Sequence, residues 1–165
     1  MFVLLRHLQR VRREAALPKR SGARSLAIRH VDAGSCNACE HELTATAAPQ
    51  YDLQRFGLDI VASPRHADVL LVTGPVTTRM AGPLRAAYEA MPEPRIVAAL
   101  GDCALGCGVL GTAAEFVGPL ERLLPIDIRI PGCPPAPQAI ADAILAGTPP
   151  LRELRSAQVG HTVGQ

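Results

Sequence analysis

Apolar residues in this chain come in short runs punctuated by glycine and proline, and the period of the pattern switches repeatedly between that of a strand and that of a helix. Residues 25–31 alternate apolar and polar positions and predict a first strand; residues 58–62 predict a second. Val69, Leu70, Leu71 and Val72 are apolar without alternation, the pattern of a strand covered on both faces, and predict a third over residues 67–73, ended by Gly74-Pro75. Residues 95–100 and 126–130 predict two more, one running into Gly101-Asp102-Cys103 and the other into Pro131-Gly132-Cys133. Helices are predicted over residues 40–48, 77–91 and 137–145, the second placing Met80, Leu84, Ala87, Tyr88 and Met91 at helical spacing. Strands that alternate with helices predict an α/β fold, a mostly parallel sheet with helices on both faces.

Composition sets the scale of that fold. A chain of 165 residues that is 48% hydrophobic can bury one full core. We divide it into an N-terminal arm over residues 1–24, a domain over 25–148 and a C-terminal tail over 149–165. The arm sets Val3, Leu4, Leu8 and Val11 near one face and Arg6, Arg10, Arg13 and Lys19 elsewhere, a basic amphipathic pattern. It suits docking on a partner subunit or lying on an anionic membrane surface. A short apolar run over residues 1–5, broken at once by Arg6 and His7, is not a secretory signal, and no apolar run is long enough to span a bilayer. Net charge is +2 and aromatic content 3% with no Trp, which argues against nucleic acid as a partner.

The candidate chemistry lies in cysteines. Cys36 and Cys39 form a Cys-x-x-Cys knuckle, while Cys103 and Cys133 stand alone, and each segment follows directly after a predicted strand. Ligands of open α/β sheets sit beyond the carboxyl ends of the strands, so remote turns can deliver these four sulfurs to one edge. Cys107 makes the count odd, which speaks against a framework of paired disulfides and for a reducing compartment such as the cytoplasm. Four thiolates suit zinc or an iron–sulfur cluster. Structural zinc usually takes two knuckles close in sequence, whereas here one knuckle and two single cysteines are spread across the core, which favours the cluster. A thioredoxin-like role for Cys36 and Cys39 leaves Cys103 and Cys133 unexplained. Cys107 fits a small buried hydrophobe.

Several stretches together carry a resemblance. Val31-Asp-Ala-Gly-Ser-Cys-Asn-Ala-Cys-Glu-His-Glu-Leu, Ser63-Pro-Arg-His-Ala-Asp-Val-Leu-Leu-Val-Thr-Gly-Pro-Val-Thr, Met91-Pro-Glu-Pro, Gly101-Asp-Cys and Asp127-Ile-Arg-Ile-Pro-Gly-Cys-Pro-Pro occur in this order. Together, over residues 25–147, they resemble the small-subunit family of complex I and nickel–iron hydrogenases. Two residues separate Cys36 from Cys39, where the complex I branch has adjacent cysteines, so the nearest resemblance is to the energy-converting, formate-hydrogenlyase-type hydrogenases.

The resemblance implies a flavodoxin-like fold and one [4Fe–4S] cluster on Cys36, Cys39, Cys103 and Cys133. It implies electron transfer to the active site of a large subunit, alongside a polyferredoxin subunit and membrane subunits, on the cytoplasmic face of the cell membrane. A quinone-proximal cluster subunit of a complex-I-like oxidoreductase is the alternative within the family. A zinc-bound or metal-free assembly subunit is the alternative outside it. Glu42, three residues after Cys39, resembles a proton-transfer group of hydrogenase small subunits, although acids also favour a solvated first helical turn. Arg65 and His66 match the hydrogenase-like branch, with His66 read as an ordinary surface position and Arg79 left open between surface and interface. Cys107 departs from the family, which has glycine or another small residue there.

Overall fold

The unalternating run Val69-Leu70-Leu71-Val72 sits at the centre of a five-stranded parallel sheet, where both faces of the strand are covered. The structure is a computed structural model that describes residues 25–110 and 114–148; the arm expected over 1–24 and the tail expected over 149–165 lie outside them. The described strands are β1 (Leu26–Asp32), β2 (Leu58–Ile60), β3 (Val69–Thr73), β4 (Val76–Thr77), β5 (Ile96–Leu100), β6 (Phe116–Gly118) and β7 (Ile128–Ile130). Sheet order is β2-β1-β3-β5-β7, with β4 and β6 paired antiparallel in a separate small ladder. Counting the main-sheet strands alone, this is the flavodoxin-like order, in which the chain reverses direction of travel between β1 and β3.

The helices are α1 (Ala38–Ala45), α2 (Thr78–Glu89), α3 (Asp102–Leu105) and α4 (Pro137–Gly147). They divide between the two faces. Leu43 of α1 and Ile140, Ala141, Ile144 and Leu145 of α4 pack with Leu26, Ile28, Val69, Leu71, Ala98 and Leu100 on one face. Leu84 of α2, Ala104 of α3 and Leu120 pack with Leu70, Val72, Val97 and Ala99 on the other. Because successive strand residues point to opposite faces, a fully apolar strand feeds both cores.

The predicted elements are present with shifted ends. The first helix begins at Ala38 rather than residue 40, because Asn37 takes a left-handed conformation (φ 71°) that turns the chain into the helix inside the cysteine knuckle. The last strand begins at Ile128 rather than 126. Just before it Asp127 grips the start of β5: its N–H donates to the Val97 carbonyl (2.9 Å) and its carboxylate accepts from the Val97 N–H (2.8 Å). Asp68 grips Ala27 of β1 in the same two-point way before β3 begins. The short helix α3 and the β4–β6 ladder were not expected from the pattern; both are too short to show a period.

Leu71 is fully buried in the central strand. Leu71→Ala should cost about 2–5 kcal/mol through lost burial and the cavity left behind. Urea unfolding followed by circular dichroism measures this, and a loss below about 1 kcal/mol would contradict the central placement of β3.

Candidate functional site

Parallel pairing sets the last residues of four strands in one row: Asp32 opposite Thr73, Thr73 opposite Leu100, and Leu100 opposite Ile130. At the usual strand spacing this row is roughly 14 Å across. Cys36 lies four residues past one end of it, Cys133 three past the other, and Cys103 three past Leu100. β3 brings no cysteine but brings Gly74, whose left-handed backbone (φ 74°) leaves room for the Cys36 loop to lean across the strand end. A Cβ on Gly74 would sit 2.5 Å from the Ser35 nitrogen.

Two aspartates tie down the three cysteine loops. The Asp32 carboxylate accepts from the Gly34 and Ser35 N–H groups (2.8 and 2.7 Å), which turns the chain sharply toward Cys36. Asp102 does more. Its N–H donates to the Gly132 carbonyl (2.9 Å), its carboxylate accepts from the Gly132 N–H (2.7 Å), and its carbonyl accepts from the N–H groups of Cys107 and Gly108. One residue thereby fixes the Cys103 turn against the Cys133 turn. Gly101, at φ 89°, lets the Cys39 sulfur pass over it; a Cβ there would lie 2.6 Å from that sulfur.

All five cysteines are free thiols; Cys36, Cys107 and Cys133 are exposed, and Cys39 and Cys103 half-buried. Burial pushes the Cys39 thiol up to about 12, reinforced by the charge of Glu40 and then by Cys103, Cys36 and Cys133. Burial also raises Cys103, against a lowering backbone hydrogen bond at Leu110, with Cys133, Cys36 and Asp102 adding to the rise. Cys39 and Cys103 thus each feel the charges of Cys36 and Cys133. Cys107 turns away to the Asp102 carbonyl (3.5 Å) and is exposed, not the buried hydrophobe expected.

The other sequence candidates fall in three places. Glu42 is half-buried on α1, one turn past Cys39. Arg65 and His66 are exposed in a turn that precedes β3, at the opposite edge of the sheet from the cysteines. Arg79 is exposed on the cysteine rim at the start of α2, where it lines an open pocket of about 450 Å³ with Thr77, Thr78 and Glu115. Sequence reasoning missed Asp32, Asp102 and Glu40. Asp102 was legible only as a neighbour of Cys103, and Glu40 only as a charge in a first helical turn.

A tetrahedral zinc site needs sulfurs about 3.8 Å apart, given Zn–S bonds of about 2.3 Å. Among the described residues no three His, Cys, Asp or Glu side chains converge as one metal ion requires. An all-sulfur donor set, reached from several loops and floored by apolar packing under Cys39, fits a polynuclear iron–sulfur group.

Comparison with known proteins places the chain among oxidoreductase subunits. The profile of the family described as NADH ubiquinone oxidoreductase, 20 Kd subunit, matches residues 36–147. A probable membrane-bound hydrogenase subunit of Pyrococcus furiosus is 42% identical over 142 residues, covering 86% of this chain and 85% of that one. Formate hydrogenlyase subunit 7 of Escherichia coli is 43% identical over 116 residues, 70% of this chain and 46% of that protein. Among solved structures, a chain of the membrane-bound sulfane sulfur reductase, an archaeal respiratory membrane complex, superposes with a TM-score of 0.63 at 31% identity, covering 83% of this chain and 72% of that one. A chain of the Dm. baculatum [NiFeSe]-hydrogenase shares the fold with a TM-score of 0.58 at 15% identity, covering 87% and 67%.

Two outcomes follow from the geometry. Asp102→Ala should cost about 1.5–3 kcal/mol in urea unfolding, the range for hydrogen bonds to a charged group, with Asp102→Asn recovering part of it; equal stability of all three proteins would remove the clamp. Between about pH 9 and 12 the unfolded chain has released the Cys39 proton while the folded chain keeps it, so stability falls as pH rises. Melting temperature of the unliganded chain should drop across that window, and Cys39→Ala should flatten the drop.

Proposed function

The chain belongs to the NADH ubiquinone oxidoreductase 20 Kd subunit family, and on that footing we propose that it is the electron-transfer subunit of a membrane-associated, energy-converting hydrogenase-like complex. In this reading Cys36, Cys39, Cys103 and Cys133 hold one [4Fe–4S] cluster. The observation that carries it is the single row of strand ends from which the three cysteine-bearing turns leave one edge of the sheet. When bound, such a cluster stores and passes single electrons at a potential set by its burial, charge and hydrogen bonding.

The chain's own residues supply the rest. The half-buried thiols of Cys39 and Cys103 form the inner wall, resting on the core through Cys39. Cys36 and Cys133 stand exposed, so a partner carrying the next redox group can approach from the open side. Asp32 and Asp102 hold the turns in place, and Gly101 gives Cys39 its passage. Glu42, half-buried one turn along α1, is the carboxylate this reading assigns to proton transfer.

Partners are inferred from the relatives. One is named a probable membrane-bound hydrogenase subunit and another a formate hydrogenlyase subunit, which supports a multisubunit, membrane-associated complex; the neighbours this reading assigns are a catalytic large subunit, a polyferredoxin and membrane subunits. Among the described residues no helix is long and apolar enough to cross a membrane; this reading places the chain peripherally on the cytoplasmic face of the membrane. The second reading is a quinone-proximal cluster subunit of a complex-I-like oxidoreductase, favoured by the description of the family itself. Two nickel-binding Cys-x-x-Cys pairs in the large-subunit sequence separate the first reading from the second.

Anaerobic purification should give a brown protein with iron and sulfide in about a 4:4 ratio. Cys103→Ser and Cys133→Ser should each lose most of the colour, while Cys107→Ser keeps it. A colourless protein carrying zinc would replace the relay with the scaffold alternative.

A further inference from the structure

Among the described residues, one half-buried side chain has buried polar atoms without a hydrogen-bond partner: both carboxylate oxygens of Glu40 are shielded from solvent and accept no hydrogen bond. Glu40 follows Cys39 directly, in the first turn of α1. Its nearest basic group is His30 of β1, with Nε2 3.7 Å from Oε1, beyond hydrogen-bond reach. That nitrogen is instead 2.9 Å from Thr73 Oγ1. Burial lowers the proton affinity of His30 further than the charges of Glu40 and Asp32 raise it, with Arg29 adding to the lowering. Burial thus works against a charged ring that could compensate the carboxylate.

Such an arrangement is costly. Shielding a carboxylate from water without giving it a donor destabilises the fold, and native proteins rarely tolerate it without a role for the charge. We propose that Glu40 is a fixed negative charge placed to make the four-cysteine site a reluctant electron acceptor, a positioning residue that acts through Cys39. The inference rests on the cluster reading above. Adding one electron to a thiolate-bound cluster raises its negative charge with no bond made or broken, and a shielded carboxylate next to one of its ligands opposes that change. Glu40 and Cys39 occupy adjacent positions in the first turn of α1, so the carboxylate and the sulfur leave the backbone one residue apart. Glu42, although nearer to what the sequence pattern suggests, is not the carboxylate whose oxygens are shielded and unpartnered.

The test uses the full 165-residue chain, reconstituted anaerobically with ferrous iron and sulfide and titrated with dithionite under electron paramagnetic resonance. Glu40→Gln keeps the shape and removes the charge. It should leave iron content unchanged and favour the reduced cluster about tenfold, a rise of about 59 mV for one electron. Glu40→Asp keeps the charge and should stay within about threefold of the parent, roughly 28 mV. In the unliganded chain Glu40→Gln should raise the melting temperature, because an unpartnered charge is gone. An unchanged or lowered potential in Glu40→Gln overturns the inference, as does a lower melting temperature of its unliganded form, which would mean the carboxylate is satisfied in the fold. A parent chain that takes up no iron and sulfide is a different failure: it removes the cluster reading first, and this inference with it.

Discussion

The in-register pairing that sets Asp32, Thr73, Leu100 and Ile130 side by side is the constraint on which the cysteine site depends, because backbone hydrogen bonds fix it before any rim side chain is chosen. A parallel sheet sends all its carboxyl ends to one edge, and the turns that leave them must start from nearly the same level. Short turns from a level row can reach only a limited space. Cysteines three or four residues past the row are therefore confined to neighbouring positions, however far apart they stand in the chain.

Aspartates repeat one device at both edges of this sheet. Asp68 grips Ala27, Asp127 grips Val97 and Asp102 grips Gly132, each through its own N–H and its carboxylate. At the entry edge the device extends the ladder by one more pair of bonds. At the exit edge it joins two cysteine turns, and there the same hydrogen bonds have a chemical consequence. A loop held only by its ends loses its arrangement easily; one held at its middle by a charged acceptor keeps it.

The site is also a place where stability and function pull apart. Cys39 and Cys103 sit where burial disfavours their ionised forms, and Glu40 lies shielded without a donor. The shielded carboxylate is unfavourable to a bare fold, and the two thiols resist the ionisation that ligation requires. Beneath them the two central strands of the sheet are almost wholly apolar, with Val69, Leu70, Leu71, Val97, Ala98 and Leu100 fully buried. That surplus of burial is what lets the rim carry groups that would otherwise be replaced.

The alternation of apolar runs with glycine and proline was enough to locate the strands and the main helices, because a strand covered on both faces has to be apolar throughout. The cysteine spacing, with each segment following a strand, made the candidate ligands legible for the same reason: topology alone sends those segments to one edge. Asp102 and Glu40 were not legible, since each reads as an ordinary charged residue beside a cysteine. What Asp102 does depends on Gly132, thirty positions away, and what Glu40 does depends on His30 lying near without reaching it. By itself the sequence determined which segments are strands and which residue types meet at their ends, since both follow from local period and chain order. Only the tertiary structure decided which polar groups find a partner and which stay buried without one, because hydrogen bonds and desolvation are set by through-space distances that no local pattern encodes.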